Sequence, residues 1–188
     1  MKNIGIIVTL LALSGACSNA VNADPYMGIG IGSASYDVDL TALGAGNFEE
    51  DGTGTKVYGG YAFNKYYALE AAYYNFAEAS VGAVETSPGS GTFASAAADM
   101  KGFGAYAVGM YPVSKEFSLI AKLGVLSWDA DLTVNAASGS NNGTDVAFAV
   151  AASYAFTKEL LAVVEWESFD SDNPELTMLS IGFKFIFK

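Results

Sequence analysis

The chain has 188 residues, of which 52% are hydrophobic, 13% aromatic and only 15% charged, with a net charge of −11, one Cys, no His, and Lys as its sole basic residue. That length suits one domain. The composition excludes intrinsic disorder, a disulfide framework or Cys-based zinc site, nucleic acid as a natural partner, and any chemistry that needs a neutral-pH imidazole.

The first segment reads as an address rather than as structure. Lys2 supplies a positive start, Ile4 to Leu13 is almost wholly apolar but too short to span a bilayer as a helix, and small residues lead to Val21-Asn22-Ala23. Residues 1–23 are expected to be a secretory signal peptide cut before Asp24. Lipidation at Cys17 is the alternative, although Ser14 stands where bacterial lipoboxes usually place Leu.

From residue 24 onward no apolar run reaches the length of a spanning helix. Segments of about ten residues instead alternate in character with period two, separated by Gly/Asn/Asp/Ser clusters. In chain order, strands are predicted at 26–36, 55–63, 67–76, 99–111, 117–129, 145–156, 160–169 and 177–187. The connections alternate too: 64–66, 112–116 and 157–159 are short, whereas 37–54, 77–98, 130–144 and 170–176 are long. An even number of strands with short turns on one rim and long loops on the other predicts an all-β fold, an eight-stranded antiparallel up-and-down transmembrane β-barrel of the bacterial outer membrane, occupying residues 24–188. The short turns share a local repeat, Tyr61-Ala62-Phe63-Asn64-Lys65, Tyr111-Pro112-Val113-Ser114-Lys115 and Tyr154-Ala155-Phe156-Thr157-Lys158. Aromatic rings favour the membrane boundary and Lys can snorkel beyond it, so Tyr61, Phe63, Tyr111, Tyr154 and Phe156 are predicted to mark the periplasmic rim.

Four charges inside apolar strands set the phase of the pleat. A lysine facing lipid near the bilayer midplane costs about 2–4 kcal/mol and a carboxylate somewhat less. Glu70, Lys122, Glu165 and Lys184 should therefore point inward and their odd-offset neighbours outward. Those neighbours, from Tyr67 and Leu69 beside Glu70 to Phe183, Phe185 and Phe187 beside Lys184, are all apolar or aromatic. Strand 145–156 splits likewise into Val146, Phe148 and Val150 against Ala147, Ala149 and Ala151, while the phase of the strand near 99–111 stays open, both its faces being apolar or small. The four charges are expected to form an interior ionic cluster, and eight strands leave little lumen around it.

Little else carries chemistry. Gly28-Ile29-Gly30-Ile31-Gly32 has its third Gly misplaced for a phosphate loop and reads as strand glycine fitted to a crowded interior. Three Asp-x-Asp pairs, Asp37/Asp39, Asp129/Asp131 and Asp170/Asp172, lie at the long-loop rim. Period two puts both carboxylates of a pair on one face, and Asp129/Asp131 is a possible weak cation site, though strong sites need more ligands. The acids cluster on the long-loop side, five around the first loop and three around each of the others, whereas Lys65, Lys115, Lys158 and Lys188 mark the opposite rim. No cofactor, metal or enzyme activity is expected.

With GYAFNKYYALEAAYYNF from Gly60, YPVSKEFSLIAKLGVLSW from Tyr111 and LSIGFKFIF from Leu179, the chain resembles the OmpA-type (OmpA/OmpX-like) eight-stranded outer-membrane barrels over residues 24–188, without a peptidoglycan-binding domain. The resemblance implies interior pairing of acidic and basic side chains, with Glu70, Lys122 and Glu165 at matching positions. It departs at Val108 and Ile186, where basic residues would be expected, and at Lys188, which follows the aromatic Phe187. The expected function is an integral outer-membrane protein with a structural or surface-interaction role. Its partners would be outer-membrane lipid and lipopolysaccharide, bridged by divalent cations at the acidic rim, or host and environmental ligands at the loops. The chain is expected to be monomeric. A narrow or gated porin-like channel and a lipid- or ligand-binding barrel are the alternatives.

Overall fold

The structure, a computed structural model, describes residues 24–38, 48–85, 93–134, 137–170 and 175–187. The expected signal peptide, Cys17, Asp39, Asp172 and Lys188 lie outside them.

Eight strands follow in chain order: β1 Asp24–Val38, β2 Phe48–Ala62, β3 Tyr67–Glu85, β4 Phe93–Pro112, β5 Phe117–Val134, β6 Ala137–Ala155, β7 Leu160–Asp170 and β8 Glu175–Ile186. Each pairs antiparallel with its neighbour, and β1 pairs with β8 to close the barrel. The all-β, up-and-down architecture is the expected one. The strands run further toward the long-loop side than predicted, by five residues or more in each of β2 to β6. Gly, Ser and Asp clusters such as Ser138-Gly139-Ser140, expected to form loop, continue the ladder, opposite Thr133, Leu132 and Asp131 of β5. Turn-forming residues end a strand only when the partner strand stops offering hydrogen bonds, and here it does not.

The three short turns are built alike, and the polar fourth residue of the shared repeat explains why. Asn64 Oδ1 accepts from the amides of Tyr66 (2.7 Å) and Tyr67 (3.0 Å). Ser114 Oγ accepts from Glu116 and Phe117, and Thr157 Oγ1 from Glu159 and Leu160, each at 3.0–3.2 Å. A short oxygen-bearing side chain satisfies two amides that the hairpin leaves free. The residue after it, a lysine each time, is exposed.

The pleat takes the phase that the four charges imposed. Glu70, Lys122, Glu165 and Lys184 are buried inside, and Leu69, Leu123, Val164 and Ile181 face outward. On β4, whose phase the sequence left open, Tyr106 and Val108 point in, whereas Phe103 and Tyr111, 68% and 67% exposed, point out. Tyr61, Phe63, Tyr154 and Phe156 are likewise exposed at the short-turn rim, Tyr61 against Phe63 and Tyr154 against Phe156 in edge-to-face pairs. The apolar surface is thus a band wrapped around the outside. A soluble barrel would hide this surface, and here it is what a bilayer requires.

The two tryptophans test this phase. Trp166 faces outward against Phe148, whereas Trp128 is partly buried and packs against the interior cluster. In vesicles of brominated phospholipid, the fluorescence of the Trp128→Phe variant is expected to be strongly quenched and that of Trp166→Phe to be nearly unaffected. Equal quenching of the two would reject the assignment.

Inside, large and small residues interdigitate across strands. Tyr26 lies opposite Gly60, Tyr58 opposite Gly28 and Lys56 opposite Gly30. A Cβ on Gly60 would fall 2.3 Å from the Tyr26 ring, and one on Gly28 would fall 2.3 Å from the Tyr58 ring. The tip of each ring therefore sits against the bare backbone of the neighbouring strand, room that Gly28 of the early glycine run and Gly60 provide.

Candidate functional site

The middle of the barrel holds a connected set of charges. Glu165, 1% exposed, is its hub. Its carboxylate meets Lys122 Nζ at 2.6 Å and Lys56 Nζ at 3.0 Å. Lys122 also pairs with Glu70 at 2.6 Å, and Lys56 with Glu167 at 2.6 Å. Tyrosines close both ends: Tyr26 donates to Glu70 (2.9 Å), and Tyr74 donates to Glu167 (2.6 Å) and lies 2.8 Å from the Tyr106 hydroxyl. Six strands, β1 to β5 and β7, contribute. The pleat delivers each group inward, and neighbouring strands bring them to similar depth. Ring faces add to the pairing: Lys122 Nζ sits 5.1 Å from the Tyr58 ring centre and Lys56 Nζ 5.7 Å. Taking these ions out of water is expensive, and short, multiply hydrogen-bonded pairing is what offsets it.

Of the four predicted cluster residues, Glu70, Lys122 and Glu165 are joined directly and Lys184 is not. Lys184 is buried at the short-turn side. Among the described residues no carboxylate lies within ion-pair distance of it, and its ammonium rests 5.1 Å from the Tyr26 ring centre. Its residence on β8, one inward step from the rim, leaves it short of the hub. It still balances the count: three glutamates, Glu70, Glu165 and Glu167, share the interior with three lysines. Glu70, Lys122, Glu165, Lys184 and Tyr58 also line a cavity of about 10 Å³, roughly the room one water needs. Tyr58 Oη, buried, has no hydrogen-bond partner among the described residues. Val108, at one of the two positions that depart from the resembled pattern, sits directly across from Lys122 and lines the same cavity. Ile186, at the other, lines an open depression of about 390 Å³ at the short-turn end together with Lys184, Lys65 and Asp24.

Two members of the network, Lys56 and Glu167, were not singled out from sequence. Lys56 stands close behind Gly52-Thr53-Gly54, where a charge reads as rim, and Glu167 stands near a predicted strand end. The signal was parity: Glu167 shares a face with Glu165, and Lys56 shares one with Tyr58 and Gly60.

Toward the long-loop side the interior becomes apolar. Tyr74 and Phe76 stack at 5.3 Å, and Phe169 meets both edge-on. Leu126, Met178 and Leu176 are buried in the same cluster. The arrangement can hold charge and block a lumen. Among the described residues no cluster of three or more metal-ligating groups is present. Asp129 and Asp131 do share the outward face, where Asp129 stands across from Lys101 and Asp131 across from Asp99. Lys101 pairs with Asp99 at 3.2 Å, so a cation at this pair would compete with a lysine already present.

Comparisons with known proteins agree with this architecture. The family model described as "Outer membrane protein beta-barrel domain" matches residues 7–187. No curated protein matches the chain. Among solved structures, Neisserial surface protein A is similar with a TM-score of 0.66 and 13% identity, over 88% of this chain and 99% of that one. Ail of Yersinia pestis, in complex with the heparin analogue sucrose octasulfate, is similar with a TM-score of 0.59 and 17% identity, over 87% and 99%. The N-terminal barrel of Pseudomonas aeruginosa OprF is similar with a TM-score of 0.61 and 10% identity, over 87% and 97%. At such identities these likenesses bear on the fold alone.

Proposed function

The chain belongs to the outer membrane protein beta-barrel domain family, and from that premise we propose that it is a closed, non-enzymatic barrel that anchors and presents its long-loop side to the surroundings. The observation that carries this reading is the filled interior, with an ionic network at mid-height and an aromatic stack above it. Eight strands leave a bore that side chains can fill, and here they fill it. A barrel so plugged is built for rigidity.

The partner follows from charge. Ail was solved with a polysulfated ligand. The long-loop side of this chain instead carries Asp51, Asp99, Asp129, Asp131 and Asp145, with Lys101 among them. Such a rim repels polyanions. It suits basic surfaces, or lipopolysaccharide phosphates bridged by divalent cations. Lipopolysaccharide retention by the purified protein that falls when EDTA is added supports bridging, and retention unchanged by EDTA counts against it.

In planar bilayers the wild-type barrel is expected to show no steady single-channel steps. A stable conductance that Lys122→Gln alters would replace this reading with that of a narrow channel.

A further inference from the structure

The lipid-facing wall is not uniform. On β3 to β6 one row of outward residues runs in strict register, Tyr67, Gly109, Ala121, Val150. The two central positions are almost bare, and around them opens a groove of about 540 Å³ whose walls include Tyr111 and Leu119. This is the volume of an ordinary small-molecule site.

Gly109 is the telling residue. Interior strand glycines such as Gly28, Gly60 and Gly104 are held by packing, because a Cβ there would meet a ring within 2.5 Å. A Cβ on Gly109 would meet only a carbonyl oxygen at 3.8 Å. Nothing inside the protein requires glycine here. Glycine in a strand interior costs stability and often marks a place where something else approaches closely. Gly59 also faces outward with room to spare, but it is not among the residues that line this groove.

The groove's position names its occupant. It lies in the apolar band next to the short turns, the periplasmic side of a barrel of this family, where the surrounding leaflet is phospholipid. At its mouth stands Tyr66, and Lys65 Nζ sits 4.9 Å from that ring's centre. An apolar trough with phenols at its rim and an ammonium beside one of them matches the amphiphile's own order, acyl chain then phosphate. We propose that this groove is a specific binding site for one phospholipid of the periplasmic leaflet, an acyl chain lying over Gly109 and Ala121 and the headgroup phosphate near Lys65.

The test is native mass spectrometry of the folded barrel, purified in detergent and exposed to dioleoylphosphatidylglycerol at low molar excess. Gly109→Leu fills the groove from the lipid side, and a heat-modifiable band on electrophoresis verifies that it folds. The expected result is a one-to-one lipid adduct in the wild type, reduced at least tenfold in Gly109→Leu and several-fold in Lys65→Gln. Three results would overturn the proposal: no retained lipid in the wild type, an adduct ladder that Gly109→Leu leaves unchanged, or a dimer of the chain that Gly109→Leu abolishes, which would make the groove an interface between copies.

Discussion

Glu165→Ala is expected to lower the unfolding free energy by about 3–5 kcal/mol, the usual cost of removing one partner from a buried ion pair. Glu165 bridges Lys122 and Lys56, which are themselves buried, so its loss strips one counter-charge from each. Glu70 and Glu167 remain as their second partners and set the lower end of the range. Equilibrium unfolding of the barrel in urea with lipid vesicles measures this, provided that the slope with denaturant stays constant. Lys184→Met is the contrast. Among the described residues Lys184 has no carboxylate within ion-pair distance, so replacing it by an apolar side chain leaves no directly paired charge stranded. Its cost is expected to be smaller than that of Glu165→Ala by at least about 2 kcal/mol. Equal costs would mean that the six charges act as one electrostatic unit and that direct pairing is not what distinguishes them.

Gly182→Val is expected to abolish the heat-resistant folded band altogether. Gly182 of β8 stands opposite Gly30 of β1, on the seam that closes the barrel. A Cβ there would fall 1.9 Å from the Ile29 carbonyl oxygen and 2.8 Å from the Gly30 Cα. Overpacking against a movable side chain costs about 1–3 kcal/mol. Against backbone the two strands must part, and the ladder that makes the barrel a closed object goes with them. Gly109→Val, with open space around it, is expected to fold normally in the same assay. Folding of both variants would show that the seam can shift to admit a side chain.

Much of this was legible in the sequence because lipid tolerates so little. A lysine cannot face the bilayer cheaply, so Lys122 and Lys184 each dictated the orientation of a whole strand, and parity carried the rest. Depth was harder to read. Parity says that Lys184 is inside, but it does not say that Lys184 stops short of Glu165, because height in a barrel depends on the stagger between strands. The same blindness hid Lys56 and Glu167, which sit near strand ends in sequence but at mid-height in space. Strand ends were misread where Ser, Gly and Asn continue a ladder beyond the lipid. There no hydrophobic alternation is needed, and none is present to be seen.

The seating of Tyr26 on Gly60 and Tyr58 on Gly28 has a consequence for how such a chain changes over time. A ring and the bare backbone beneath it form a single unit divided between two strands. Enlarging the glycine without shrinking the ring jams the bore, and shrinking the ring alone leaves a void. Variation inside the barrel should therefore come as reciprocal exchanges between β1 and β2, while single replacements accumulate on the outward face, where the neighbour is fluid and adjusts to any apolar shape. Within one sheet, alternate residues would drift under different rules, one set singly and the other in couples.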